Sequence, residues 1–447
     1  MMTRRPFHPT RLGAPLAAAA LLLTACATPI PATAPPGPTA STPSSRPDAP
    51  AVGGDAREVR AQTTRLLVSH AGELTLLDAA DGTVVDETQR AGFLRLNNAG
   101  DGRHVLVTDG DRFLVYDAGV QSRPHGDHAH HYQYNPGLTG LEYPAAKAGH
   151  AVSHAGRTAL FADGTGEIQV VETGFIADPT ATVTRTRTDA PHHGVAVVLS
   201  DDTLLTTQGT SESRSTVQVR RGDQVVAQTD DCPGVHGEAT AQPTAGGDVV
   251  LLGCTNGPVV WRDGAFHKVD APDAYARTGN AAGSPASPFV LTDYKTDADA
   301  EQERPTRVAL VDTRSASLSL VELGSSYWFR SLARGPHGEA LVLTYDGAIQ
   351  VIDPEQGTVT ASIHAIGPWE QKKDWQEPGP SLQVAGHHAY VTDAAAASIA
   401  VVNLETRSVE RVIPLGHTPV ELAVIDGIAE ATPRKDPHGD DHGHGHG

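Results

Sequence analysis

Sulfur and large aromatic side chains are scarce in this chain, with 3 Cys, 2 Met, 4 Trp and 8 Phe among 447 residues. Val, Leu and Ala must therefore supply most of the core. Cationic side chains are in deficit too: 34 Lys and Arg face 53 Asp and Glu, a formal net charge of −19. Such a surface repels phosphate backbones and anionic lipid, which excludes nucleic acid as a partner, and it attracts divalent cations. The apolar run from Ala14 to Leu23 is interrupted by Pro15 and is too short to span a bilayer as a stable helix. Helical periodicity is nearly absent, so the chain reads as all-β.

The N-terminus carries address information. A basic opening (Arg4, Arg5), the short apolar run and the small residues before Cys26 describe a secretory signal over residues 1–25. Leu23-Thr24-Ala25-Cys26 resembles a bacterial lipobox, with Cys26 as the lipid-bearing first residue of the mature protein; an ordinary cleaved signal is the alternative. Residues 26–61, rich in Pro, Ala, Ser and Thr, cannot bury a core and read as a disordered tether. The expected product is exported and lipid-anchored on the outer side of the cytoplasmic membrane, at the cell surface or in the periplasm. It touches the membrane through that lipid alone. With Cys26 set aside, Cys232 and Cys254 form an even pair in an exported chain, for which a disulfide is the default.

Residues 62–429 hold repeated strand–turn–strand units, and the repeat has a measurable period. His150, His193 and His236 are each 43 residues apart and each opens the first strand of a new unit. A period in the forties with several short strands per unit is the signature of a β-propeller. First strands near residues 95, 150, 193, 236, 277, 330, 382 and 421 make eight blades, or seven if one of the longer intervals is wrongly divided. The lone strand PVELAVID near the C-terminus and RLLVSHAGELTLLDAADGTVVDETQ near the N-terminus are complementary halves of one blade. Joining them closes the ring and hides the sheet edges. Residues 121–138 interrupt the link into the unit opened by His150, and residues 296–306 form a charged hairpin tip.

First strands line the channel of a propeller, so the three equally spaced imidazoles converge there. Three neutral nitrogen ligands without a thiolate suit zinc and leave one coordination position open. The competing reading is structural, because Gly149-His150 looks like the Gly-His dipeptide of WD-type propellers. Against it, His192 and Val235 precede the other two histidines, and Trp-Asp endings are missing. The segment His125-Gly-Asp127-His128-Ala-His130-His131 is expected to fold over the channel mouth, with His128, Asp127 or His125 as the fourth ligand and His130 and His131 as weaker contacts. His192 is a further weak candidate, and His154 lies deeper in the channel or in packing. Glu238 shares a strand face with His236 and is placed either to orient it or to act as a general base. The tail from residue 430 to 447 ends Asp440-Asp441-His442-Gly-His444-Gly-His446-Gly447, a composition suited to fast, weak metal capture.

Taken together and in order, HGDHAHHY, GHAVSHAGRTALF, APHHGVAV and CPGVHGEA make residues 65–426 resemble the AztD-type secreted zinc metallochaperones. The resemblance implies a β-propeller that hands zinc to the solute-binding protein of a zinc ABC transporter. It also implies a metal site of His150, His193 and His236 assisted by residues 125–131, and a Cys232–Cys254 disulfide. The His-rich segment of that family is N-terminal, whereas here it is C-terminal. The expected molecule is a monomeric, non-enzymatic zinc carrier. A zinc-dependent hydrolase or lyase with Glu238 as base and a pure protein-interaction propeller are the alternatives. Quinone-cofactor enzymes are disfavoured, since the repeated Trp motif of eight-bladed quinoproteins is missing.

Overall fold

A computed structural model of the chain describes residues 52–430. The expected signal peptide, Cys26 and the tail histidines His442, His444 and His446 lie outside the described residues, as does most of the tether. Within them the fold is all-β: the single helical element is the 3-10 turn Thr173–Phe175. No described helix is long and apolar enough to cross a membrane.

Strands assemble into eight four-stranded antiparallel sheets and one three-stranded sheet among the described residues, an arrangement consistent with a propeller. Numbered by their opening strands, the first to seventh four-stranded sheets begin with Arg95–Asn98, Ala148–His154, Ala196–Val198, His236–Thr244, Ala281–Ala282, Leu332–Arg334 and Leu382–Ala385. The eighth is discontinuous in sequence. Its opening strand Glu421–Ile425 pairs antiparallel with Arg65–His70, which continues through Glu73–Asp78 to Val84–Gln89.

Apolar clusters fill the space between each sheet and the next. Phe113 and Val115 of the first pack on Leu160 and Ala162 of the second. Val197 and Leu205 of the third meet Val250 and Leu252 of the fourth. Tyr390 and Val401 of the seventh meet Leu66 and Val68 of the eighth, whose Leu67 and Ala423 in turn pack on Leu96 and Val105 of the first. Successive residues of one strand therefore serve two different interfaces. This is why second strands such as Arg65–His70 are buried along their whole length rather than alternating in and out.

Two rims result. The starts of the opening strands (Arg95, His150, His236) gather at one rim with Gly279 and Phe329. The turns that follow those strands (Gly100, Ala155, Gly156, Asp202) gather at the other, with Glu430.

Residues 121–138 were expected to lie in a linking loop. The structure places them inside the first sheet, between its third strand Arg112–Asp117 and its fourth strand Gly137–Pro144. They form a hairpin, Val120–His125 with His128–Asn135, and the strand Gly53–Val59 adds to its free edge. The tether boundary at residue 61 is corrected accordingly: the chain is already paired from Gly53, because the hairpin edge offers unpaired backbone groups. Residues 296–306 are an exposed, turn-rich connection between Phe289–Asp293 and Arg307–Asp312.

A buried charge cluster roots the hairpin at the second rim. Asp101 Oδ1 accepts the backbone N–H groups of Arg103 and His104 at 3.0 and 2.8 Å, and its Oδ2 lies 2.5 Å from His104 Nδ1. Arg103 donates to both oxygens of Asp117, and the N–H of Gly119 donates to Asp117 Oδ1 at 2.8 Å. The Arg103 guanidinium also covers the Tyr134 ring at 3.5 Å. Burial alone would lower the His104 pKa, but hydrogen bonds to Asp101 and Asp117 outweigh it and raise it to about 9. Burial likewise opposes ionisation of Asp117, yet His104 and Arg103 hold it at about 2.

The stabilisation from this cluster is complete between the unperturbed values, 3.8 for Asp117 and 6.5 for His104. It falls as pH rises through 9, where folded His104 deprotonates, and again as pH drops towards 2. Replacing His104 by Gln should cost about 3 kcal/mol at pH 6, since two buried carboxylates lose their partner. The variant should also lose the wild-type decline in stability from pH 6.5 to 9. Urea denaturation at several pH values checks both, and an unchanged pH profile in the variant would refute the assignment.

Candidate metal centre

The three equally spaced histidines are held by local irregularities in otherwise regular strands. His150 sits where the pairing of Ala148–His154 with Arg157–Ala162 shifts register, between Ala148 and Ala151. His236 opens its strand at a second shift, between His236 and Glu238. His193 lies in the segment just ahead of Ala196–Val198. Such bulges turn a side chain away from the alternation of the pleat. Each histidine also has a glycine beside it. At Gly149 a Cβ would fall 2.2 Å from Asp163 Oδ1. At Gly237, with φ +75°, it would fall 2.4 Å from the carbonyl oxygen of Gly279. These glycines let two hydrogen-bond acceptors reach the rings.

One nitrogen from each of His150, His193 and His236 lies within 4.8 Å of the others. His150 Nε2 and His193 Nε2 are 3.3 Å apart, close to the nitrogen–nitrogen edge of roughly 3.3 Å that zinc–nitrogen bonds of about 2.0–2.1 Å set in a tetrahedron. Two of the opposite ring nitrogens are hydrogen-bonded. His193 Nδ1 donates to Asp163 Oδ2 at 2.5 Å, and His236 Nδ1 donates to the Gly279 carbonyl at 2.6 Å. His150 Nδ1 lies 3.3 Å from Glu238 Oε2. The Asp163 and Gly279 oxygens only accept, so His193 and His236 carry their protons on Nδ1 and turn their Nε2 lone pairs towards His150. Without a cation, His150 Nε2–H is placed to donate to His193 Nε2; a cation among the three nitrogens would replace that contact. Burial first, then the neighbouring His150, lowers the His236 pKa to about 3. His236 is a neutral donor throughout the physiological range.

His150 and His236 border a cavity of about 230 Å³ lined also by Arg95, Asn97, Glu238, Asn280 and Phe329. The Cys232–Cys254 disulfide joins the segment before His236 to the residue after Gly253, which pairs with His236. Cys254 O accepts the N–H of Thr278, the residue before Gly279, so the bridge is tied to the segment that supplies the His236 acceptor.

Other expected site residues are placed differently. His125, His128 and His130 form a second cluster of their own on the hairpin. His128 Nε2 and His130 Nε2 are 3.3 Å apart, with Asp127 Oδ1 at 3.2 Å from His128 Nδ1 and Glu58 Oε1 at 2.6 Å from His130 Nδ1. This cluster cannot cover the triad, because the hairpin leaves its sheet after Asp117, at the second rim. There Ser122 bonds to Gly427 and Gly427 to Gly102. Asp127, His125 and His128 are therefore corrected from fourth-ligand candidates to members of a separate, exposed group. His131 bonds to Ser122 Oγ at 2.9 Å. His192 is a packing residue: it is 2% exposed, and both its nitrogens are taken, by the Ala190 carbonyl and Thr207 Oγ1. His154 pairs with Asp248 at 2.9 Å. Glu238 contacts His150 and not the adjacent His236.

Sequence reasoning missed Asp163 and Gly279. Gly279 was findable, since it falls a further 43 residues beyond His236. Asp163 precedes Gly164 in what reads as an ordinary turn, and spacing offers no hint of its role.

Comparison with known proteins agrees with the resemblance seen in the sequence. A protein named zinc chaperone AztD from Citrobacter koseri is 26% identical over 384 residues, covering 83% of this chain and 86% of the relative. This chain is similar to zinc chaperone AztD over most of its length. The fold is shared with the crystal structure of Citrobacter koseri AztD, at TM-score 0.71 and 24% identity, covering 83% of this chain and all (100%) of that one. The apo AztD structure from the same organism matches at TM-score 0.69 and 23% identity, covering 83% and 100%. No family model matches.

The hydrogen bond from His193 to Asp163 yields a direct expectation. Asp163→Ala should weaken zinc binding by roughly 10–100-fold, the usual cost of losing the carboxylate that orients a ligand histidine. Asp127→Ala should leave the tightest zinc site unaltered. Competition titration against a chelator of known strength measures both, and full affinity in Asp163→Ala would separate this carboxylate from metal binding.

Proposed function

We propose that this chain is an extracytoplasmic zinc carrier that holds one Zn2+ on His150, His193 and His236 and passes it to the solute-binding protein of a zinc ABC transporter. In this reading the eight four-stranded sheets are the blades of one propeller. Its ring closes through the pairing of Glu421–Ile425 with Arg65–His70, and the protein works as a monomer. The signal over residues 1–25 exports it, and Cys26 carries the lipid that anchors it. His125, His128 and His130, together with His442, His444 and His446, are weaker capture sites.

A zinc-related chaperone role is supported by the similarity to a protein named zinc chaperone AztD. The observation that carries the reading is the convergence of three imidazole nitrogens, two of which are fixed as lone pairs by the oxygens that take the opposite Nδ1 protons. Three nitrogen donors at that spacing suit zinc. The non-enzymatic reading is favoured over a hydrolase or lyase by the similarity to a protein named as a chaperone.

Protein lacking residues 438–447 should still bind one zinc tightly, and His150→Ala, His193→Ala and His236→Ala should each weaken it at least about tenfold. Retention of full affinity by all three variants would sink the triad as a metal site. For the carrier step, stopped-flow mixing of zinc-loaded protein with apo solute-binding protein should give a rate that rises with acceptor concentration and exceeds spontaneous dissociation. A rate independent of acceptor and equal to the off-rate would mean plain release into solution.

A further inference from the structure

The cavity beside the triad carries cations in an otherwise acidic protein. Arg95 and Asn97 lie two apart on Arg95–Asn98, so they share a face, and both line the cavity with His150 and His236. Among the described residues Arg95 makes no ion pair or side-chain hydrogen bond. Asn97 Nδ2 is buried and has no hydrogen-bond acceptor. Arg277 adds a second unpaired guanidinium next to Gly279, where a Cβ would come within 2.9 Å of its Nε. The neighbouring Arg330 is already committed to Glu421. A buried amide donor without an acceptor is costly, and so is a guanidinium held without a counter-charge. Both facing one cavity is a vacancy for an anion with two acceptor atoms.

We propose that this cavity is a carboxylate-binding subsite: Arg95 and Asn97 receive a carboxylate group at the open coordination position of the triad. The inference rests on the triad holding a divalent metal. Charge argues for an anion that enters after the metal. Arg95 and Arg277 already lack a partner carboxylate. Bound zinc adds two further positive charges, and an anionic ligand relieves them. Carboxylate suits the donors better than a halide does, because its two oxygens can meet a guanidinium and an amide N–H together. Binding of metal and carboxylate must then be reciprocal, each tightening the other by the same factor. A small carboxylate from solution and an Asp or Glu side chain of the zinc acceptor present the same chemistry.

The test uses cobalt(II) in place of zinc, because its visible absorption reports ligand set and geometry directly. Acetate added to the cobalt-loaded full chain should change that spectrum along a saturable curve, and chloride at equal ionic strength should not. Arg95→Met and Asn97→Leu should each raise the acetate concentration at half-saturation by at least about tenfold, on the scale of one charge-assisted hydrogen bond. Cobalt affinity without acetate should stay within about twofold. A spectrum indifferent to acetate in the wild type, or an equal response in both variants, overturns the subsite while cobalt remains bound to the triad. Failure of His193→Ala to disturb cobalt binding would instead overturn the triad itself. Zinc transfer separates the two sources: acetate slows transfer if the acceptor's own carboxylate enters the subsite, and leaves it unchanged if the ligand is a small anion.

Discussion

Two hydrogen-bond acceptors set the direction in which the histidine triad presents its nitrogens. The Asp163 carboxylate and the Gly279 carbonyl take the Nδ1 protons of His193 and His236, and Glu238 lies against Nδ1 of His150. An imidazole left to itself exchanges tautomers and turns. One whose Nδ1–H is donated presents Nε2 as a lone pair in a set direction. Each of these contacts joins two different sheets: Asp163 belongs to the second and His193 precedes the third, Gly279 precedes the fifth and His236 opens the fourth, and Glu238 reaches from the fourth to the second. The tautomers therefore depend on how the sheets pack, and the geometry of the triad is a consequence of the apolar clusters between them.

That dependence explains why the period of 43 residues carries chemical meaning. A repeat protein brings equivalent positions of successive units together without any contact evolving between them. What must be added locally is small: a register shift to aim the ring, and a glycine to admit the acceptor. Both additions occur at His150 and His236, and the second strand Gly247–Gly253 that pairs with the His236 strand is still buried from Val249 to Gly253.

The arrangement of strands was legible because turn residues punctuate it and because the N- and C-terminal fragments were each visibly incomplete. The convergence of His150, His193 and His236 was legible from spacing alone. The position of the histidine-rich hairpin was not. Gly137–Pro144, with the sequence GLTGLEYP, has little of the β-branched alternation that marks a strand, so it reads as a linker. Missing that strand puts the insertion between two sheets, at the rim where the triad opens. Counting it as the fourth strand of the first sheet moves the insertion to the opposite rim. Asp163 was hidden for a different reason: its role depends on the Cβ that Gly149 lacks, a steric fact with no signature in periodicity.

The two histidine clusters consequently differ in kind as well as place. In the hairpin the carboxylates nearest the rings, Asp127 and Glu58, are themselves exposed, with side-chain accessibilities of 102% and 58%. They are free to turn, so any metal bound there must first order both ligands and partners, which lowers affinity and quickens exchange. The corresponding groups at the triad are 20% exposed for Asp163 and 15% for Glu238, and both are held by neighbouring sheets. Preorganisation of that sort makes binding tight and spontaneous loss slow. The proposed carrier role, with such a site, needs a route for release other than waiting. The cavity at the triad rim supplies the space for one: an incoming ligand can join the metal before any imidazole leaves, so the ion need never be bare.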